Sequence, residues 1–194
     1  MKHYIEITLL PNPDINLFSL WSKVFQQIHL GLVEMQEGQG RVPIGLSFPE
    51  YVTGEKYSVL GGKLRLLAKN EATLSQLNAS QRLSRLSEHV HCSSIRTVPE
   101  KISGYAIYQR EQPKTSKERL ARRYAKRHNI DYETALGHYK GMEYQTIATP
   151  FIRLKSLSSD GAFCLWIKKT VIEKPSGSIF SSYGLSAEST VPEF

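Results

Sequence analysis

The chain has few of the residues from which enzyme sites are commonly built. Its two cysteines, Cys92 and Cys164, stand far apart and form no C-x-x-C pair. Neither a zinc knuckle nor a disulfide framework is expected. There is no G-x-S-x-G, H-E-x-x-H or Walker-type loop, which argues against a hydrolase triad, a zincin and an NTPase. With no carboxylate or Cys/His cluster either, no metal and no cofactor is expected. No apolar run approaches the roughly 18 residues of a membrane span, and Met1 to Glu6 show no apolar leader segment. The expectation is a cytoplasmic protein without a membrane partner. Acids are also scarce: 18 Asp and Glu face 25 Lys and Arg, a net charge of +7, and the pI is near 9.4. That balance favours a polyanion partner, nucleic acid above all. The aromatic signature of an RRM and a clear helix-turn-helix are both missing, so neither a base-stacking sheet nor a DNA reader of that type is suggested.

Hydrophobic residues make up 40% of the chain, enough for a packed core. Ile5, Ile7 and Leu9 alternate with Tyr4, Glu6 and Thr8, a strand with one buried face. After Pro11 and Pro13, Asp14 is placed to cap a helix. Leu17, Trp21, Val24 and Ile28 recur at helical spacing, and Gly31 is read as the stop. Val42 to Phe48 reads as a strand, as does Tyr57 to Leu67 with a break at Gly61-Gly62. Asn70 caps a helical segment carrying Leu74, Leu77, Leu83 and Leu86. His89 to Val98 reads as a fourth strand. The order β-α-β-β-α-β is the ferredoxin-like pattern, and the fold class is α+β. Past Pro99 come a strand over Tyr105 to Gln112, a basic helix, a short helix from Asp131 to about Tyr139, and strands joined by the turns Ser159-Asp160-Gly161 and Pro175-Ser176-Gly177. The expected division is therefore a ferredoxin-like domain over 1–99 and an α/β C-terminal domain with an arginine-rich helix over 100–194.

The basic helix carries the strongest single signal. Thr115-Ser116-Lys117-Glu118 is a T-x-x-E capping box. Arg119, Arg122, Arg123, Lys126 and Arg127 follow at i, i+3, i+4, i+7 and i+8, on an arc of roughly 140°. Leu120, Ala121, Tyr124, Ala125 and His128 fill the other side. A solvated helix face usually mixes signs, yet no acid follows Glu118 until Asp131. Such a face suits the deep, phosphate-lined major groove of double-stranded RNA, where contacts set affinity more than sequence choice. Just before it, Arg110 and Gln112 share one strand face. Arg suits a guanine edge and Gln an adenine edge, although the residues alone favour two ordinary surface side chains.

Among six histidines, His29 is read near the end of the first helix, where the macrodipole would raise its pKa. Position alone leaves a structural role as the commoner outcome for such a histidine. Hydroxyls gather at Ser156, Ser158 and Ser159 and in Ser181-Ser182-Tyr183-Gly184-Leu185-Ser186. Near a glycine turn, such groups can hold a phosphate or a ribose hydroxyl.

Taken in order, His3-Tyr4 with Ile5 to Leu10, His29, Ile44-Gly45-Leu46-Ser47-Phe48-Pro49, Arg110-x-Gln112, Glu118-Arg119-Leu120 with the arginine helix, Tyr183-Gly184-Leu185-Ser186 and Val191-Pro192 resemble one family nearly end to end. It is the CRISPR-associated endoribonucleases of subtype I-F, which process precursor CRISPR RNA at the repeat hairpin. The resemblance implies His29, Ser156 and Tyr183 as catalytic residues, and Phe163 as the ring under the base beside the cut. It implies Arg110 and Gln112 as readers of the lowest base pairs, with Arg119, Arg122, Arg123, Lys126 and Arg127 in the major groove. The implied reaction is metal-independent attack by a ribose 2′-OH. The protein would then stay on the mature guide, beside other subunits of a type I-F crRNA-guided surveillance complex. Ala121 and Lys126 depart from the more arginine-rich helix of the family, and Tyr51 to Lys56 looks longer than in the family. The serine assignment could slip by two to Ser158, because a strand repeats every two residues. The rival reading from another class is a non-catalytic RNA-hairpin-binding adaptor.

Overall fold

The computed structural model describes residues 1–36, 38–54, 57–112, 117–142, 148–156 and 161–194. Thr115 and Ser116 of the capping box, Ser158, and the Ser159-Asp160 turn lie outside the described residues. In chain order the elements are β1 (His3–Leu9), α1 (Leu17–Glu34), β2 (Arg41–Val42), β3 (Gly45–Ser47), β4 (Val52–Thr53), β5 (Ser58–Val59) and β6 (Lys63–Ala68). Next come α2 (Glu71–Leu77), α3 (Ala79–Arg82), β7 (Val90–Cys92), β8 (Arg96–Thr97), β9 (Gly104–Glu111), α4 (Lys117–His128) and α5 (Tyr132–Gly137). The last are β10 (Phe151–Lys155), β11 (Ala162–Ile172), β12 (Phe180–Ser181) and β13 (Val191–Glu193). The fold is mixed α/β. Among the described residues no helix is long and apolar enough to cross a membrane.

The first sheet runs in the order β3-β6-β1-β7, with β8 also on β1, and its neighbours are antiparallel. Within this sheet the order is β1-α1-β3-β6-α2-α3-β7, but the stretches read as single strands over Val42 to Phe48 and Tyr57 to Leu67 are each split: β2 pairs with β12, and β5 with β4. Ile5, Ile7 and Leu9 are buried from β1, as are Leu64 and Leu66 from β6. The second sheet runs β10-β11-β9-β13.

The helical segment read from Asn70 through Leu86 breaks at Asn78, whose φ is 49°, into α2 and α3, and both ends of α1 also differ from the sequence reading. Asn16, not Asp14, caps α1, its side chain accepting from Ser19 N at 2.9 Å. Asp14 N is instead bound to Asn12 Oδ1 at 3.1 Å, in a turn that Asn12 organises. Nor does Gly31 stop the helix, which continues to Glu34 with Leu32 fully buried. A Cβ at Gly31 would fall 2.5 Å from Arg82 Nε and 2.8 Å from Leu77 Cδ1. The glycine is there so that α2 and α3 can approach α1, a packing demand that outweighs its helix-propensity cost of about 1 kcal/mol.

Contact density divides the chain into two units, Met1–Glu111 with Thr149–Phe194, and Gln112–Ala148. Residue 99 separates the two sheets, and both sheets belong to the larger unit. Their joint is partly polar: Ser47 Oγ donates to Glu193 Oε1 at 2.9 Å, Tyr108 OH donates to the same oxygen at 3.1 Å, and Lys169 pairs with Glu193 Oε2. Tyr108 is buried against that carboxylate, and both effects push its pKa up.

The smaller unit contains α4 and α5. Ala121 is buried and Leu120, Tyr124 and Ala125 are half-buried, while Arg119, Arg122, Arg123, Lys126 and Arg127 are all exposed. His128, read as packed, is exposed, though its ring lies 4.2 Å from that of Tyr124. Asn129 ends α4 with φ at 52°, and Ile130 N donates to Ala125 O at 3.2 Å, a Schellman closure. Asp131 caps α5 through Glu133 N and Thr134 N. The Tyr124 ring also meets His138 at 5.0 Å and Tyr139 at 6.2 Å, holding the two helices together.

Candidate active site

His29 lies on α1, next to Ile28, which is fully buried, and is itself half-buried. What meets its imidazole is a turn from the far end of the chain. Ser181 N and Ser181 Oγ both donate to Leu185 O at 2.9 Å, and Gly184 N donates to Ser181 O at 2.7 Å. Gly184 has φ at +66°, which glycine adopts without a side-chain penalty, and a Cβ there would fall 2.4 Å from Leu46 Cγ. The turn is fastened on two sides, by Leu46 N to Gly184 O at 3.0 Å and by Ser186 N to Tyr108 O at 2.9 Å. It therefore holds Ser182 and Tyr183 at fixed positions relative to β3 and β9.

The outcome is a defined imidazole. His29 Nδ1 lies 2.8 Å from Ser182 O. A carbonyl only accepts, so Nδ1 carries the hydrogen, and the neutral ring keeps its lone pair on Nε2. The Tyr183 ring stacks on the imidazole with centroids 4.2 Å apart and planes 2° from parallel. Burial lowers the pKa of His29, and the Ser182 carbonyl raises it by less. The expected rise from the helix end is thus reversed. His29 sits more than a turn before Glu34, the last residue of α1, and the dipole effect falls off within the last turn.

The stack continues outward. Phe163 meets Tyr183 edge to face at 6.5 Å and 83°. The Arg110 guanidinium lies 5.5 Å from the Phe163 centroid and 5.6 Å from that of Tyr183. Register explains the meeting. Arg110 opposes Ile167 and Leu154 opposes Phe163, so these side chains share one face of the second sheet. That face is buried at Tyr108, Leu165 and Ile167 and emerges to solvent at Arg110.

The structure thus gathers His29, Tyr183, Phe163 and Arg110. Ser156 stands just past β10, two residues beyond Phe163's partner Leu154, with its N donating to Gly161 O at 2.8 Å. Gln112 and the five cations of α4 belong to the other unit, and Gln112 is exposed. Among the described residues no three His, Cys, Asp or Glu side chains gather as a metal site requires. Sequence reasoning missed Ser182. The hydroxyl-rich tract around Tyr183 was a signal, but it pointed to side chains, whereas a backbone carbonyl of that tract is hydrogen-bonded to His29, beside the stacked Tyr183 ring.

A family model described as "CRISPR-associated protein (Cas_Csy4)" matches residues 4–194. Two curated relatives named "CRISPR-associated endonuclease Cas6/Csy4" align over all of both chains. The one from Escherichia coli (strain UTI89 / UPEC) is 35% identical over 195 residues. The one from Pseudomonas aeruginosa (strain UCBPP-PA14) is 34% identical over 197 residues. With a family match over nearly the whole length and relatives above 30% identity end to end, the chain belongs to the Cas6/Csy4 family of CRISPR-associated proteins.

Proposed function

We propose that this chain is an endoribonuclease that binds the CRISPR repeat stem-loop and cleaves precursor CRISPR RNA by 2′-OH attack. The single observation that carries the reading is the neutral-favouring imidazole of His29, held by Ser182 O and stacked on Tyr183. Nε2 takes the proton from the 2′-OH, the 2′-oxygen attacks the adjacent phosphorus, and the bond to the 5′-oxygen breaks. The leaving oxygen takes up a proton, so the products are a 2′,3′-cyclic phosphate and a 5′-OH. Such a step needs a base within reach of the hydroxyl and in-line placement of the two oxygens. Ser156 holds the 2′-OH, Tyr183 orients the imidazole, and Phe163 supports the base beside the cut. Residues 1–99 form the ferredoxin-like domain and 100–194 the RNA-binding one. The cytoplasmic protein stays on the mature guide as a subunit of the type I-F surveillance complex.

The 2′-OH proton goes to His29 and the leaving oxygen takes its proton from water, neither transfer calling on a metal, so cleavage should proceed in EDTA. A labelled repeat hairpin incubated in EDTA and analysed for end groups should yield the cyclic phosphate and the 5′-OH. A reaction stopped by EDTA and restored by Mg²⁺ refutes this mechanism, and a hairpin bound but never cut by the unaltered chain leaves the adaptor reading.

The cations of α4 grip phosphates along the stem. Arg123→Ala should weaken binding and reduce the slope of log K against log salt by about one unit. A salt titration with an unchanged slope would show that Arg123 neutralises no phosphate.

Arg110 and Gln112 read the base of the stem. Each bidentate base contact is worth about 1–3 kcal/mol of discrimination. Arg110→Ala and Gln112→Ala should therefore weaken binding to the cognate stem more than to one with altered lowest pairs, and equal losses on both would exclude a reading role.

A further inference from the structure

A groove of about 1190 Å³ lies between α1, the stretch from α2 through Leu86, and β10. Five cations line it, Lys23, Arg82, Arg85, Arg153 and Lys155, and no carboxylate is among the described residues that do. Gln26, Gln27, Gln76 and Gln81 add side-chain amides to its walls, and no aromatic ring is among the described residues that line it. Arg82 is part of the scaffold, donating to Glu34 Oε2 at 2.6 Å and to Leu77 O at 2.7 Å. Lys23, Arg85 and Arg153 are exposed.

This lining has a definite chemistry. Cations without acids favour a polyanion. Amides offer a donor and an acceptor each, so they can meet any base edge without demanding one. The lack of rings removes the stacking that gives tight single-strand binding. A loosely held, sequence-tolerant single strand of nucleic acid satisfies all three features.

The groove's walls are built from chain neighbours of the candidate active site. Gln26 lies three residues before His29 on α1, and side chains at i and i+3 share a helix face. Leu154 lines the groove and is the register partner of Phe163. Lys155 lines it too and immediately precedes Ser156.

We propose that this groove holds the single-stranded RNA that continues 3′ from the scissile phosphate. The inference rests on His29 marking the cleavage point. The nucleotide after the cut is covalently tied to the phosphate at His29, and the groove-lining Gln26 lies about one helical turn away on the same helix face, within reach of the strand as it leaves the site. The flank on the 5′ side of the hairpin leaves the stem across the width of the duplex. Weak holding also suits the product that must leave: once the bond to the 5′-oxygen breaks, only the groove retains that strand.

The test compares hairpins carrying a deoxyribose 5′ of the cut, which blocks cleavage, with no tail, with a 3′ tail or with a 5′ tail of about eight nucleotides. Each is titrated over a range of salt against the unaltered chain and against Lys23→Ala/Arg85→Ala/Arg153→Ala. Each phosphate neutralised on a single strand contributes about 0.7 to the slope of log K against log salt. The triple variant should therefore flatten the slope for 3′-tailed RNA by about two units, and should leave the untailed hairpin unchanged. The untailed hairpin thus also reports that the variant is folded. Equal changes on tailed and untailed RNA, no change on either, or a loss confined to the 5′ tail each overturn the inference. If the unaltered chain binds no hairpin at all, the nuclease reading itself falls, and the inference with it.

Discussion

His29→Ala is expected to cleave the repeat hairpin roughly 10²–10⁴ times more slowly than the unaltered chain, while binding the hairpin within a few-fold. The proposed base is a half-buried imidazole on α1, whereas the cations proposed to grip the stem lie in the separate unit Gln112–Ala148. Catalysis and affinity should therefore part company. The substitution removes the bond to Ser182 and the stack on Tyr183, a stability loss of about 1 kcal/mol that alanine's helix propensity partly offsets. Cleavage at near the original rate would make His29 structural. His29→Gln keeps a polar side chain at the site and serves where the alanine variant fails to fold. The pH profile gives a second readout of the same group. Only the neutral imidazole accepts the proton, and burial lowers its pKa. Cleavage should thus rise with pH to a midpoint in kcat/KM below the ordinary histidine value of about 6.5 and stay flat above it. In the complex, nearby phosphates favour the imidazolium, so the midpoint in kcat should lie higher than that in kcat/KM. The His29-dependent limb should vanish in the variant.

What could be read from the sequence follows a physical divide. The strands were legible because burying one face imposes a period of two, as at Ile5, Ile7 and Leu9. The cap at Asn70 was legible because its partner, Thr73 N, is three residues away. Features decided by distant residues were not. Gly31 looks like a helix stop, yet its role is set by Leu77 and Arg82, and nothing local reports their approach. The direction of the His29 pKa shift went wrong for the same reason. A helix end is a local feature, while the burial that lowers the pKa outweighs even the Ser182 carbonyl, which raises it from 153 residues away. The grouping of His29, Tyr183, Phe163 and Arg110 was suggested by family resemblance alone, because no spacing rule joins four residues on α1, β9, β11 and a C-terminal turn. The misplaced cap at Asp14 is a subtler case: Asp14 and Asn16 are both good capping residues, and the choice fell to the turn in which Asn12 Oδ1 accepts from Asp14 N and Ile15 N.

A hairpin with deoxyribose at the nucleotide just 5′ of the cut should bind normally and remain intact, the largest effect expected of any single change. The defect lies in the RNA rather than the protein, so it tests the same step as His29→Ala from the opposite side. Removing the base slows proton transfer but leaves the nucleophile, and a residual rate is expected from positioning alone. Removing the 2′-oxygen eliminates the attacking atom, and no arrangement of His29, Ser156 or Tyr183 can replace it. The modified RNA should therefore show no product over times in which His29→Ala gives a measurable trace. It should also inhibit cleavage of the all-ribose hairpin as a competitor of equal affinity. Binding is expected to survive because phosphate contacts dominate affinity and one missing hydroxyl changes no charge. A cut deoxy substrate would mean that a water or another group attacks the phosphorus. The His29 lone pair on Nε2 would then activate that group, and the product would carry an ordinary terminal phosphate in place of the cyclic one.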